Sequence, residues 1–330
     1  MSLIAAAILL VAGLIILWKA ASMLVSGAVA LADRLGVSPI VIGLTVVAMG
    51  TSAPEVAASI AAALRNAGDI AVGNVYGSNV ANLALVGGLI ALIRPVAVRK
   101  STIKREIPAM ILVALLLWPI FANLSLARTE ALLLLAIFVL FMTITVVTAR
   151  NQARLKPELQ AKLAPTAPVY PPAKAQRSMK VCAALVVIGL AGLALGAELA
   201  LRGAVRIGDA IGLSKVVIGL TIIAVGTSLP ELVTCVVASL RRQDDISIGN
   251  LVGSNIFNTL LVIGAAGTVR PFSIGARLVA ADYWIMVAVS VAFALLVIAG
   301  RRKLGRAGGA LLFCAYIVYL LYLLHFTRSI

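Results

Sequence analysis

The chain has 330 residues, of which 62% are hydrophobic and only 12% are charged, and its mean hydropathy is +1.11. These values exclude an ordinary soluble domain and predict a polytopic membrane protein. The net charge of +16 does not indicate a nucleic-acid surface, because the basic residues fall in the short gaps between apolar segments, where they determine topology.

Taken in chain order, the apolar stretches long enough to cross a bilayer predict ten helices. Their bounds are 3–31, 39–64, 70–93, 104–122, 129–149, 179–205, 215–240, 246–269, 279–299 and 307–326. The predicted fold class is therefore an all-α polytopic membrane protein. We interpret the first stretch as a retained span, because no positively charged segment precedes it.

An internal repeat divides the chain into two halves. Gly36–Asn82 aligns without a gap with Gly212–Asn258, about half of the positions are identical, and the offset is 176 throughout. Each copy carries Gly-Thr-Ser-x-Pro-Glu, followed by Gly-Asn-x-x-Gly-Ser-Asn. The sequence thus predicts one five-helix repeat in residues 1–149 and a second in residues 179–330.

Five helices per half is an odd number, so the second half must enter the membrane in the opposite sense, as an inverted-topology repeat. If both termini face outward, 19 of the 28 basic residues fall in inner segments and 8 in outer ones, with Lys19 inside the first span. This asymmetry favours that orientation. Residues 150–178 then form a cytoplasmic linker, in which Pro157 and four further prolines are expected to prevent a continuous helix.

The repeated Gly-Thr-Ser-x-Pro-Glu blocks place Glu55 and Glu231 at membrane depth, where a carboxylate is costly and indicates function. Pro54 and Pro230 are expected to break or kink their helices. Such a break frees carbonyls near Ala48, Thr51, Ala224 and Thr227. Together with the hydroxyls of Thr51, Ser52, Thr227 and Ser228, these groups are oxygen ligands suited to hard cations.

The second repeated block adds neutral ligands. Asn82 and Asn258 each lie 27 residues after the repeated glutamate and can coordinate a cation without adding charge. Ser78 lies four residues before Asn82 and Ser254 four before Asn258, so each serine shares a helical face with its asparagine. Two glutamates carry a charge of −2, which one Ca²⁺ neutralises, whereas an empty site leaves two repelling carboxylates in a low dielectric. These properties predict exchange rather than leak.

Together, the paired blocks resemble the two alpha-repeats of the calcium/cation antiporter superfamily, in particular its prokaryotic sodium/calcium exchanger branch. The resemblance covers both motif helices of each half and the ten-helix plan. It implies a secondary active antiporter, not an enzyme, that exchanges Ca²⁺ for Na⁺ across the inner membrane by alternating access and needs no cofactor. It also implies four cation sites in a diamond at mid-membrane, and first and sixth helices that slide past a rigid core.

By position, the ligands implied by this resemblance are Ala48, Thr51, Ser52, Glu55, Ser78 and Asn82, and Ala224, Thr227, Ser228, Glu231, Ser254 and Asn258. Glu55 and Glu231 would serve both ions, and the Thr51 and Thr227 carbonyls would complete the calcium site. The serines and the two alanine carbonyls would serve flanking sodium sites. Some archaeal and potassium-dependent relatives have Asp where this chain has Asn258, which disfavours potassium co-transport here.

Several alternatives stay open at this point. A proton-coupled Ca²⁺ antiporter is one, although the cation/proton branch usually has an acidic residue in the Gly-Asn block and this chain has none. The others are an intramembrane hydrolase with a carboxylate pair, a passive cation channel, and protonated glutamates that only hold helices together. Away from the repeats, the three cysteines are interpreted as inert, and capping or solvation would explain Asp33, Asp69, Asp209, Asp244, Asp245 and Asp282.

Overall fold

The structure, a computed structural model, describes residues 2–163, 178–212 and 224–327, which are predominantly helical. The helices are α1 (Leu3–Leu35), α2 (Pro39–Thr51), α3 (Ala53–Leu64), α4 (Gly68–Ile93), α5 (Lys100–Lys104), α6 (Glu106–Ile120), α7 (Arg128–Leu163), α8 (Met179–Ala210), α9 (Ala224–Thr227), α10 (Leu229–Leu240), α11 (Asp244–Val269), α12 (Leu278–Ala299) and α13 (Arg306–Thr327).

Seven of these helices are long and apolar enough to cross a membrane, namely α1, α4, α7, α8, α11, α12 and α13. The bent pair α2 and α3 makes an eighth if it is a single span. The remaining two predicted spans correspond to shorter helices. Helix α6 lies within 104–122, and α10 forms the end of 215–240, whose first part lies outside the described residues. The chain is therefore that of a membrane protein, with seven to eight clear spans among the described residues, and the count of ten stays a prediction.

The two halves are joined by short antiparallel strand pairs. Strand β1 (Val96–Ala97) pairs with β4 (Lys303–Leu304), and β2 (Ser125–Leu126) pairs with β3 (Phe272–Ser273). Because β1 precedes α6 and β2 follows it, the two pairs lie at opposite ends of that helix. Each pair therefore ties a loop of the first half to a loop of the second.

The core lies around α4 and α11. In their most apolar stretches, 78% of the α4 residues and 94% of the α11 residues are buried, against 22% in α1 and 17% in α7. Gly249 and Gly253 bring α11 against α2, since a Cβ on either would lie 2.7 Å from an α2 backbone oxygen. The repeated Gly-Asn blocks thus belong to the two most central helices.

Helices α1 and α8 pack against each other along their length. Small residues allow this close approach: a Cβ on Gly13 would lie 2.5 Å from the Ala200 nitrogen, and one on Gly196 would lie 2.9 Å from the Gly13 oxygen. The outward faces of both helices carry large apolar side chains, such as Ile8 and Ile188. This pair therefore forms a unit beside the core.

One helix is longer than predicted, and one expectation from the sequence was wrong. Helix α7 continues to Leu163, through Pro157, whereas the predicted span ended at residue 149. A proline in a helix removes one hydrogen bond, and outside the apolar core water can satisfy the freed carbonyl. Asp282 is not a solvated helix end: it is 5% exposed and pairs with Arg277 at 3.5 Å. The other prolines of the linker lie outside the described residues.

The adjacent acidic residues at the start of α11 also have specific partners. Asp244 pairs with Arg94 and Asp245 with Arg99, both from the segment around β1. Solvation alone therefore does not account for these two carboxylates.

Candidate cation-binding site

The repeated Gly-Thr-Ser-x-Pro-Glu blocks form two helix breaks. Helices α2 and α3 are bent by 43°, and Ser52 between them leaves the helical region with φ −83° and ψ 5°. Ser228, between α9 and α10, has φ −87° and ψ 5°. Pro54 and Pro230 stand in the first turn of the helix that follows, where a missing N–H leaves no intrahelical bond unmade. The predicted breaks are confirmed.

Each break starts a new helix with a glutamate in its first turn, Glu55 in α3 and Glu231 in α10. The N-terminal end of a helix favours negative charge, so the breaks stabilise the two carboxylates electrostatically. Glu55 is 1% exposed and Glu231 is completely buried. Both therefore need partners inside the protein.

The two breaks face each other across the halves. The Ser52 hydroxyl donates to Glu231 Oε1 at 3.1 Å. The carboxyl of Glu55 interacts electrostatically with that of Glu231, and Ser78 of α4 lies beside the Glu55 carboxyl. Residues 176 positions apart in the sequence thus come together in one buried cluster.

Many buried polar atoms of the two repeated blocks lack a hydrogen-bond partner. Among the described residues, the unpartnered buried atoms include both carboxylate oxygens of Glu55, Oε2 of Glu231, the amide oxygens and nitrogens of Asn82 and Asn258, and the hydroxyls of Ser228 and Ser254. Buried polar atoms are normally hydrogen-bonded, so a concentration of exceptions calls for an explanation such as a bound ion. All of these except the amide nitrogens can donate electron pairs to a cation.

Asn82 and Asn258 lie on π-helical turns at Ala81–Val86 and Asn258–Val262. A π-helical turn contains an extra residue, and such turns occur often at functional sites. In the second turn, Thr259 donates to the Asn255 carbonyl at 2.9 Å, which provides a partner for a backbone oxygen near the irregular turn. The Asn82 and Asn258 side chains are 1% and 0% exposed.

The carbonyl of Ala48 differs from the expectation. It is not free: it accepts from the Ser52 N–H at 3.0 Å and from the Thr51 hydroxyl at 3.3 Å. The Ser52 N–H therefore occupies one lone pair of this oxygen, and the Thr51 hydroxyl, which also lies 3.1 Å from Asn250 Oδ1, can occupy the other. In the second half, Ala224 begins α9 and Thr227, which ends it, is half-buried.

Two pairs of polar residues in the repeated blocks were missed in the sequence. Asn74, which is half-buried, donates to the Glu55 carbonyl at 3.4 Å and to Ser59 at 3.0 Å. Its counterpart Asn250 lies between Thr51 and Cys235, and Asn79 and Asn255 form the second pair, both 2% exposed. The signal was available, because both asparagine pairs recur at the offset of 176.

The charge of the cluster is uncompensated by protein cations. Neither Glu55 nor Glu231 takes part in an ion pair within 4.0 Å in the described part of the chain. The described residues also contain no group of three or more His, Cys, Asp or Glu side chains that could hold a metal ion. Any cation bound here would therefore be held by two carboxylates and neutral oxygens.

Comparison with known proteins identifies relatives over nearly the whole chain. The model of the family described as "Sodium/calcium exchanger protein" matches residues 5–147 and 181–325. The "Putative antiporter CaxA" of Alkalimonas amylolytica is 41% identical over 322 residues, which are 96% of this chain and 98% of the relative. The "Inner membrane protein YrbG" of Escherichia coli (strain K12) is 35% identical over 94% of each chain.

A solved structure has the same fold and a related sequence. It is that of the sodium-calcium exchanger NCX_Mj soaked with Na⁺ and Sr²⁺, with a TM-score of 0.81 and 30% sequence identity. The match covers 97% of this chain and 99% of the solved one. The likeness therefore includes both halves and the region of the two helix breaks.

Proposed function

The chain belongs to the sodium/calcium exchanger protein family, and on that premise we propose that it exchanges Ca²⁺ for Na⁺ across the inner membrane by alternating access. One observation carries the proposal: two glutamates from matched helix breaks lie together in the core, and three of their four carboxylate oxygens have no protein partner. Carboxylate oxygens without protein partners are suited to a cation that binds and dissociates. A permanent structural role would be expected to give them fixed partners.

The ligand types support assignments within the cluster. Glu55 and Glu231 serve both ions, and the Thr51 and Thr227 carbonyls complete a central calcium site. Ser52, Ser78, Ser228 and Ser254, with the carbonyls of Ala48 and Ala224, serve flanking sodium sites, and Asn82 and Asn258 complete the shell. Calcium accepts six to eight oxygens in an irregular arrangement, so a shell of mixed carboxylates, carbonyls and hydroxyls suits it.

The charge balance explains why transport would be an exchange. One Ca²⁺ or two Na⁺ neutralise the two carboxylates, whereas an empty site would keep a charge of −2 in a low-dielectric interior. The alternating-access movement of an empty carrier is therefore unfavourable. The carrier changes sides only when cations occupy it, and this couples the two fluxes.

The relatives support the choice of ions and of membrane. The solved relative is a sodium-calcium exchanger that was soaked with Na⁺ and Sr²⁺, and Sr²⁺ is chemically close to Ca²⁺. The relative from Escherichia coli is an inner membrane protein. For this chain, both properties are part of the proposal.

We also propose the finer architecture: ten spans in two inverted five-helix repeats, residues 1–149 and 179–330, with both termini outside and the 150–178 linker in the cytoplasm. The strand pairs support it. Strands β1 and β3 occupy equivalent repeat positions, 96–97 and 272–273, yet they pair with different strands at opposite ends of α6. Inverted halves place equivalent loops on opposite membrane faces.

The test of the proposed function is uptake of radiolabelled Ca²⁺ into proteoliposomes that are loaded with Na⁺. Controls use Na⁺-free vesicles and vesicles with only a pH gradient. We expect uptake that requires internal Na⁺ and is lost in Glu55→Ala. Uptake driven by the pH gradient alone would instead establish proton coupling, and uptake down a Ca²⁺ gradient without any counter-ion would indicate a channel.

A further inference from the structure

A chain of buried hydrogen bonds leads away from the cluster on the α11 side. The Thr51 hydroxyl lies 3.1 Å from Asn250 Oδ1, and Asn250 Nδ2 donates to Cys235 Sγ at 3.3 Å. The Cys235 thiol in turn donates to the Ser247 carbonyl at 3.5 Å. Because the thiol proton points to Ser247, the sulfur accepts from Nδ2, which fixes the amide with its oxygen toward Thr51.

The first half contains a matching arrangement. Asn74 Nδ2 donates to Ser59 Oγ at 3.0 Å, and the Ser59 hydroxyl donates to the Ala71 carbonyl at 3.2 Å. Asn74 and Ser59 are the repeat equivalents of Asn250 and Cys235, at the same offset of 176. The fold forms this arrangement twice, once with a hydroxyl and once with a thiol, which indicates a shared task rather than a coincidence of packing.

That task concerns the direction in which the Thr51 hydroxyl donates its hydrogen bond. The Thr51 hydroxyl has one hydrogen but two acceptors, the Ala48 carbonyl at 3.3 Å and Asn250 Oδ1 at 3.1 Å. The second lone pair of Ala48 is taken by the Ser52 N–H at 3.0 Å. While the hydroxyl points to Ala48, this carbonyl has no lone pair for an ion. When the hydroxyl points to Asn250, one lone pair is released.

We propose that Asn250 is a positioning residue for the flanking sodium site that includes the Ala48 carbonyl. Its Oδ1 accepts the hydrogen bond of the Thr51 hydroxyl and so frees the Ala48 carbonyl for Na⁺. Cys235 holds the Asn250 amide in the accepting orientation. Neither side chain is assigned a contact with the ion. The inference rests on the proposed function, in which the Ala48 carbonyl is a sodium ligand and the calcium site uses the Thr51 carbonyl instead.

The test compares Na⁺ and Ca²⁺ dependence of exchange in proteoliposomes for Asn250→Ala, alone and combined with Thr51→Val. Without Asn250, the hydroxyl stays on Ala48, and we expect the half-saturating Na⁺ concentration to rise roughly two- to tenfold, the range for one neutral hydrogen bond. The half-saturating Ca²⁺ concentration should change by less than about twofold. Thr51→Val removes the competing proton, so adding Asn250→Ala to it should raise the Na⁺ value no further.

Two conservative variants keep the test decisive if Asn250→Ala does not fold. Cys235→Ser retains an acceptor for the amide, as Ser59 does in the first half, and should preserve the wild-type Na⁺ dependence. Cys235→Ala removes the acceptor and should raise the half-saturating Na⁺ concentration selectively. A general packing defect would move Na⁺ and Ca²⁺ dependence together in both cysteine variants, and that result would overturn the inference.

Failure of the inference is distinct from failure of the proposed function. If wild-type protein shows no Na⁺-driven Ca²⁺ uptake, the proposed function is wrong and the inference is overturned with it. If wild-type exchange is normal but the Asn250→Ala effect persists unchanged beside Thr51→Val, only the role of Asn250 is wrong.

Discussion

At the scale of single residues, Glu55 and Glu231 should carry the charge on which binding depends. Glu55→Gln and Glu231→Gln preserve size and shape but each removes one negative charge from the buried cluster. We expect either change to lower exchange roughly a hundredfold or more, because a cation a few ångströms from a buried carboxylate gains several kcal/mol from it. Ca²⁺ flux in Na⁺-loaded proteoliposomes measures the loss.

Glu198→Gln is the matched control for these variants. Glu198 has a half-exposed side chain and pairs with Arg202 one helical turn away on α8, so its neutralisation should leave exchange near the wild-type rate. Wild-type flux in either Glu55→Gln or Glu231→Gln would contradict the assignment of the central ligands.

Asn258→Asp tests whether the charge of the cluster sets the coupling. The Asn258 side chain is fully buried and both of its amide atoms are unpartnered, so the new carboxylate would make the charge −3. Ca²⁺ then leaves one charge unneutralised, and a further monovalent cation or proton must accompany it. We expect exchange by the variant to be stimulated by K⁺ or by lower pH.

The measurement is Ca²⁺ flux with and without K⁺ at two pH values, beside wild-type protein and Asn82→Asp, the equivalent change in the first half. Wild-type exchange should be indifferent to K⁺. If Asn258→Asp is as insensitive as wild type to both K⁺ and pH, the side chain of residue 258 is not among the ligands of the transported cations.

The sequence identified the cluster itself because its residues recur in two apolar contexts where polar groups are costly. It did not identify Asn74 or Asn250, although both recur equally. Their role depends on partners from other helices, such as Cys235 and Thr51, and these contacts exist only after the helices have packed. Asp282 was misjudged for the same reason, since its burial depends on tertiary neighbours.

At the scale of helices, the contact between α1 and α8 depends on glycine. A Cβ on Gly13 would lie 2.5 Å from the Ala200 nitrogen and 2.7 Å from the Gly196 oxygen. These are backbone atoms, which cannot move away by changing rotamer as a side chain can. We expect Gly13→Ala to destabilise the protein by about 1–3 kcal/mol, the usual cost of overpacking. Thermal unfolding in detergent should show a lower midpoint.

Gly305→Ala provides the comparison, because a Cβ there meets no atom within 4 Å. This variant should unfold at the wild-type temperature. If Gly13→Ala were equally stable, the two helices would have to separate without cost, and the close packing of α1 on α8 would not contribute to stability.

Helix positions were largely predictable, whereas their irregular turns were not. Apolar length locates α4 and α11 to within about two residues of the predicted 70–93 and 246–269. The π-helical turns at Ala81–Val86 and Asn258–Val262 leave no comparable signal, because an extra residue in one turn does not change the apolar pattern. Helix α7 extended beyond its apolar stretch, since hydropathy reports where a membrane ends and not where a helix does.

At the scale of the molecule, the strand pairs connect the two halves at both ends of α6. Val96 of β1 is opposite Leu304 of β4, and both side chains are completely buried. Each pairing joins a loop of one half to a loop of the other, so in the proposed alternating-access cycle the loops would restrain the halves while the helices beside the core change position. Alternating access would then move α1 and α8 against a core held at both faces.

The proposed inverted repeat predicts that equivalent loops are labelled from opposite sides of the membrane. Ala97 of β1 and Ser273 of β3 are equivalent repeat positions, and both are exposed. In a Cys314→Ser background, whose other two cysteines are buried, we expect a membrane-impermeant maleimide to label Ala97→Cys only from the cytoplasmic side and Ser273→Cys only from the outside. Inside-out and right-side-out vesicles give access to the two faces.

The unsubstituted Cys314→Ser protein controls for background labelling, and detergent-solubilised samples confirm that both introduced thiols react. Labelling of both positions from the same side would contradict the inversion, because two parallel halves place equivalent loops on one face. Opposite labelling with the sides exchanged would keep the inverted repeat and reverse the orientation, in conflict with the 19 basic residues assigned to the inner segments. The two results separate architecture from orientation, since the architecture depends on the odd number of spans per half and the orientation only on charge.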